Sequence, residues 1–428
     1  MLHFISILMS GISSAVLMKK LIWIVFALGL FSCQAASVPP ADFPPTVAVT
    51  GFPIAPVTAT NVPTAATLAL SPASAPASMA VQVVYIKDGN LWLWESGSTK
   101  ALTSSSVDSA PLLSGDGSLI FFLRQGHLWV IDVLGTNPRQ LDELAAPLEV
   151  SQYVLLPGTH RLFFNTQIRA ESGQPAPTND LFLADSDSPP ARRLLQEGEG
   201  GLVTLSPDGQ WLALAQPEKI NVVHSDGSGL ATVLTFPRVA TGSSSPFLPP
   251  VAWLSNSYGF KTIIPAAEGR GVARFLFVAA QGGDPAQLAL INAAPVSTEQ
   301  GFFLSPDSDR VAYLREAAGN LEVHVIDAAT ADQTFFTGNI GQLGLIGWAP
   351  DGSSLVCWVG NRSNLTLLRA DGSLQPLNGD FPGAQVVWLD AGHFLFVSGN
   401  ELRLGEPGKN SLAIDSGKIT EFSGLGVR

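Results

Sequence analysis

From Val81 onward the chain alternates between apolar runs of four to six residues and polar turns rich in Gly, Asp, Ser and Pro. That is the pattern of many short β-strands. No amphipathic helical stretch interrupts it, and the pattern repeats. The clearest unit is Leu205-Ser206-Pro207-Asp208-Gly209 followed by the apolar Trp211-Leu212-Ala213-Leu214. It recurs as Leu304-Ser305-Pro306-Asp307-Ser308 before Val311-Ala312-Tyr313, and as Trp348-Ala349-Pro350-Asp351-Gly352 before Leu355-Val356-Cys357-Trp358. Weaker copies begin at Leu113, Leu155, Trp253 and Trp388, so that the seven units start 42, 50, 48, 51, 44 and 40 residues apart. A fixed period of this length marks a repeat architecture.

The turn has a local physical logic. Serine at its first corner can accept a backbone hydrogen bond, proline presets φ at the second, and glycine relieves crowding at the fourth. Each turn joins two antiparallel strands. A third strand ending in a polar turn follows, as in Leu128–Asp132 or Val323–Asp327, and then a more polar fourth, as in Arg139-Gln140-Leu141. A four-stranded meander of this kind has two apolar faces that it cannot bury alone. Radial stacking buries each against a neighbour, so the fold class predicted is all-β, a β-propeller of four-stranded antiparallel blades.

These units resemble the TolB-like propeller repeat, whose hallmark is the Ser-Pro-Asp-Gly turn before an apolar strand, with a later strand ending in Asp. The resemblance spans residues 80–428, is strong in three units and implies a fold without fixing an activity. Val81–Thr103 supplies three strands but lacks the innermost one, whereas Ile419–Phe422 follows a finished meander. The C-terminal strand is therefore expected to complete the first blade and close the ring. Eight blades of about 44 residues result, inside the repeat length usual for such propellers. Seven is the alternative, because the unit at Trp253 is poorly marked.

A different organisation precedes the repeats. Leu21–Phe31 is an 11-residue apolar run preceded by Lys19-Lys20 and followed by Ser32-Cys33, the layout of a secretory signal. It is too short to span a bilayer alone. Leu30-Phe31-Ser32-Cys33 resembles a bacterial lipobox, which implies lipidation of Cys33 and anchoring to the cell envelope, on the periplasmic side or at the cell surface. Ordinary cleavage near Ala35-Ala36 and an uncleaved anchor are the alternatives, and translation from Met18 would already give a complete signal. Residues 34–79, rich in Pro, Ala, Ser and Thr, read as an extended tether. The expected domains are thus a leader at 1–33, a tether at 34–79 and a propeller at 80–428.

The charge balance is −12, from 35 acidic and 23 basic residues without a basic cluster, which disfavours nucleic acid as a partner. Two cysteines, Cys33 and Cys357, make no disulfide framework, and Cys357 is read as a small buried hydrophobe. No nucleophile elbow, phosphate loop or zinc-binding helix motif is present. Some TolB-like propellers precede a hydrolase domain; with this sequence running to Arg428, neither such a domain nor peptidase activity is expected. His127, His160, His224, His324 and His393 fall on second or third strands rather than the axial ones, so no metal and no other cofactor is expected. Trp253, Trp348 and Trp388 share one inner-strand position, where rings serve packing between blades or stack on a sugar.

Loop lengths are more informative. The longest insertions, Thr166–Asn179, Phe236–Pro250 and Pro265–Arg274, all leave one end of the ring, since loops between second and third strands and loops between blades emerge together. Loops on a rigid scaffold carry binding, so Arg169, Glu171, Arg238, Glu268, Arg270 and Arg274 are the candidate contacts. The functional expectation is a non-catalytic, monomeric, extracytoplasmic lipoprotein, joined to the membrane by its N-terminal lipid, that binds or scaffolds a protein, peptide or glycan. A lyase- or cyclase-type enzyme acting outside the cytoplasm is the alternative.

Overall fold

The computed structural model describes residues 80–427, apart from 170–174, 242–244, 270, 294–300, 328–331 and 382–384. The leader, Cys33 and the tether lie outside the described residues, as do Glu171 and Arg270. Among the described residues every regular element is a β-strand. They form eight antiparallel sheets, seven of them running in chain order from an inner to an outer strand, the one that begins at Leu148 with the extra strand Pro175–Pro177 beside Arg161–Arg169. Blade 2 runs Asp108–Leu113, Leu119–Arg124, His127–Asp132, Arg139–Gln140. Blades 3 to 8 begin with inner strands Leu148–Leu155, Leu202–Leu205, Val251–Trp253, Phe302–Leu304, Leu343–Trp348 and Val387–Trp388. Blade 1 takes Ala80–Lys87, Asn90–Glu95 and Ser98–Ala101 from the start of the propeller and its inner strand, Ile419–Val427, from the end. The ring is an eight-bladed propeller closed by pairing the two ends, and the weakly marked unit at Trp253 is a complete blade.

The reason the blades stack is visible in the alternation along their second strands. In Ala80–Lys87, Val83 and Tyr85 point toward blade 8, while Val84 and Ile86 point toward blade 2. Phe121 and Phe122 divide in the same way between blades 3 and 1. The buried apolar residues consequently fall into eight clusters, one at each junction between neighbouring blades. Burying each such side chain contributes roughly 1.5–3 kcal/mol. No blade has a core of its own.

The repeated turn is built on its serine. Ser206 Oγ accepts a 2.9 Å hydrogen bond from Trp211 N and donates a 2.6 Å one to Asp208 Oδ1, which in turn accepts from Gln210 N at 3.0 Å. Ser114 and Ser305 repeat the arrangement with Asp116 and Asp307. Gly209 has φ +68°, in the left-handed region that glycine enters at no steric cost. Where the motif has lost its glycine the backbone keeps the turn anyway, with φ +58° at Ser257 and +59° at Ser308.

A second device registers the inner strands. Trp253 Nε1 donates to the carbonyl of Thr204 at 3.2 Å and Trp348 Nε1 to that of Phe303 at 2.8 Å, in each case on the inner strand of the preceding blade. Tyr153 of blade 3 does the same with its hydroxyl, donating to Ala110 O of blade 2. Trp253 is buried in its inter-blade cluster, and Trp348 and Trp388 are half-buried and pack against theirs.

Candidate functional site

Two of the three insertions are regular structure rather than loops. Among the described residues of Thr166–Asn179, the strand Arg161–Arg169 stays paired with the inner strand, Ile168 facing Leu148, and pairs on its other side with Pro175–Pro177, Ile168 facing Ala176. The return strand of this hairpin is interrupted at Asn179, where φ is +49°, and Asp180 there accepts from Thr166 N at 2.8 Å and from Thr166 Oγ1 at 2.6 Å. Pro265–Arg274 is the tip of a second long hairpin, Gly259–Pro265 against Gly271–Ala279, so Arg274 is a strand residue opposite Ile264. Only Phe236–Pro250 is irregular.

The start of that segment, Phe236–Ala240, is nonetheless fixed. Phe236 and Val239 are buried in the core between blades 4 and 5, and Ala240 N donates to Ala267 O of the neighbouring hairpin at 2.8 Å. The approach is close enough that a Cβ on Gly269 would meet Ala240 O at 2.0 Å. The elaborated end is therefore packed where blades 4 and 5 meet, and the hairpin of blade 3 emerges at the same end of the ring. Arg169, Arg238, Glu268 and Arg274 stand exposed on it, and of these Arg169 lies 3.2 Å from Glu149 Oε2. Ile168, Leu202, Leu248, Val272 and Leu290 are exposed at the same end. Sequence reasoning named the charges and missed these apolar neighbours, which only the strand register assigns to the outside.

The histidines are dispersed and locally engaged. His127 Nδ1 lies 2.8 Å from Asp142, His160 Nε2 lies 3.1 Å from Asp116, and His393 Nδ1 lies 3.0 Å from Asp390. His224 packs on the Trp211 ring, with centroids 3.8 Å apart. The buried His324 has Asp332 at 3.0 Å on one ring nitrogen and Glu322 at 2.9 Å on the other, so the two carboxylates cannot share an ion with it. Among the described residues no group of three or more His, Cys, Asp or Glu side chains is arranged to hold a metal.

Most of the shifted acids belong to turns, Asp415 in the outer strand of blade 8 being an exception. Hydrogen bonding from Ser114 holds Asp116 well below the usual carboxylate range. At Asp208 and Asp307 burial works upward but is outweighed by the serine hydroxyl and backbone N–H donors of the turn, so both are lowered. Burial pushes the Cys357 thiol up to about 12.

At the opposite end of the ring, where the Ser-Pro-Asp-Gly turns emerge, two adjoining cavities lie across blades 6, 7 and 8. The first, about 150 Å³, is walled chiefly by Val325, Phe335, Trp348, Leu355 and Leu368. The second, about 610 Å³ and more polar, is bordered by Asp351, Asp371, Gln375 and Trp388. Loop length could not have found them, because the turns here are short.

No protein-family model matches the chain, and no curated protein does. Solved structures do. A eukaryotic initiation factor matches with 10% identity and TM-score 0.50, covering 80% of this chain and 98% of that one. TolB from Acinetobacter baumannii matches with 12% identity and TM-score 0.34 over 81% and 67% of the two chains. An oligogalacturonate lyase in complex with manganese matches with 14% identity and TM-score 0.44 over 64% and 86%. At these identities the likeness is one of fold, and the fold is shared by binding proteins and enzymes alike.

Proposed function

We propose that the chain is an extracytoplasmic lipoprotein, lipidated at Cys33, whose propeller acts without catalysis to hold a protein, peptide or glycan partner at its elaborated end. The observation that carries this reading is the Ala240–Ala267 hydrogen bond together with the buried Phe236 and Val239. They fix Phe236–Ala240 to the long hairpin of blade 5, so that Arg238, Glu268 and Arg274 are presented from a pre-organised surface. Exposed apolar side chains among arginines are the composition of an interface centre.

Two measurements test the two halves of the proposal. Mass spectrometry of the native protein should find a mature N-terminus at a diacylated Cys33, and an unmodified Cys33 contradicts the anchor. Replacing Arg169, Arg238, Glu268 and Arg274 together by serine should abolish capture of the partner cross-linked in intact cells, with the melting temperature unchanged. Undiminished capture contradicts the binding surface.

A further inference from the structure

We propose that the cleft across blades 6, 7 and 8, at the end of the ring opposite the elaborated one, binds a short peptide segment. A phenyl or branched aliphatic side chain would fill the gap between blades 6 and 7, and a basic residue beside it would lie in the gap between blades 7 and 8. This depends neither on the lipid anchor nor on the elaborated end.

Size and lining select the anchor. The inner cavity of about 150 Å³ equals the volume of an apolar protein cavity known to take a benzene ring. Its walls are chiefly the apolar Val325, Phe335, Leu355 and Leu368, and Asp327, Gln333, Ser353, Ser354 and Arg369 border them with polar atoms, so an apolar side chain fits the walls while the amides of a peptide backbone find partners at the border. The Trp348 face is already occupied: the Arg310 guanidinium sits 4.7 Å from the ring centroid and donates to Gly352 O at 2.6 Å. An apolar side chain has there a preformed hole beside the Phe335 ring.

The neighbouring cavity selects the residue next to the anchor. Both cavities are bordered by Ser353, Ser354, Arg369 and Ala370, so a chain leaving the first passes directly into the second. There Asp351 and Asp371 face a single cation, Arg369, which is hydrogen-bonded to Gln375. Asp371 is held ionised by hydrogen bonds from Ser373, side chain first and backbone second. The excess of carboxylates favours a lysine or arginine.

The purified full chain, titrated with N-acetyl-Phe-Lys-amide and read by saturation-transfer NMR and by tryptophan fluorescence, should bind saturably at millimolar concentration. N-acetyl-Ala-Lys-amide should bind roughly tenfold more weakly or worse, for want of the buried ring. N-acetyl-Phe-Glu-amide should bind roughly threefold more weakly, as expected for a partly exposed charge. Ala370→Trp and Ser353→Trp, at exposed positions on the rim, should each abolish binding without moving the melting temperature. The quadruple serine variant of the elaborated end should bind the peptide like the parent, so the two sites fail separately. Absence of saturable binding, equal binding of the Ala and Phe peptides, undiminished binding by both folded tryptophan variants, or displacement of the peptide by a cello-oligosaccharide would overturn the proposal.

Discussion

Tyr85 donates a 2.6 Å hydrogen bond to Asp415, linking the second strand of blade 1 to the outer strand of blade 8. Lys87 binds the same carboxylate at 2.9 Å and lies 4.8 Å from the Trp92 ring centroid. Tyr85 and Asp415 are 330 positions apart, and they meet only because the C-terminal strand has closed the ring between them. Tyr85 is fully buried, so Tyr85→Phe leaves Asp415 short of a donor without opening a cavity. The expected cost is about 1–2 kcal/mol, read as a lower midpoint in urea unfolding. An unchanged midpoint would mean that the seam is held by strand pairing alone.

Strand pairing at that seam is itself testable. Ile419–Val427 pairs with Ala80–Lys87 along its length, Val84 facing Ser423 and Tyr85 facing Phe422, and Phe422 is buried in the junction of blades 8 and 1. Truncation after Gly417 should expose that junction, lower the melting temperature sharply and raise binding of a hydrophobic dye. A truncated chain that melts like the parent would contradict closure.

Two serines in equivalent turns should respond oppositely to the same change. Ser308 is fully buried in a left-handed conformation, and its hydroxyl has no hydrogen-bond partner. Ser308→Gly removes both the backbone strain and the stranded polar atom, and should stabilise by about 1 kcal/mol. Ser257 has nearly the same φ, but its hydroxyl accepts from Asp208 N of the neighbouring blade at 3.1 Å. Ser257→Gly should therefore gain little or lose stability. Paired thermal melts of the two variants decide it.

The turn carboxylates predict an acid limb. Asp208 and Asp307 are lowered in the folded protein. Their contribution is thus fully present above the unfolded value of about 3.9 and fades as pH falls through the folded values. Melting temperature should be flat from neutral pH to about pH 5 and then decline. Ser206→Ala, which removes a donor to Asp208 and the acceptor for Trp211 N, should lower stability at neutral pH by about 1–3 kcal/mol and make the acid decline shallower.

Much of the fold is legible in the sequence because the repeat carries it. The Ser206, Ser305 and Ala349 turns mark their blades by the physics of a type I turn, and the missing inner strand before Val81 predicts the closing role of Ile419–Val427. The hairpins at Thr166–Asn179 and Pro265–Arg274 read as loops because Gly, Pro, Ser and charged residues crowd their tips and hide strands that still pair with the rest of the blade, Ile168 with Leu148 and Arg274 with Leu290. The cleft of blades 6 to 8 is illegible for a different reason. Its walls, Val325, Phe335, Leu355 and Leu368, are ordinary strand residues that also form the core between blades 6 and 7, and nothing in their order marks a cavity among them. Trp348 stands out in the repeat, but its ring is partnered by Arg310 through a contact between blades that no spacing encodes.

The most direct test of the binding role places a photo-cross-linking residue at Arg169, Arg238 and Arg274 in turn, at the elaborated end, and at Leu134, exposed on the opposite end in blade 2, as a reference. Irradiation of intact cells should yield the same discrete covalent adduct from the first three positions and none from Leu134. No adduct from the elaborated end, or equal adducts from both ends, would contradict it.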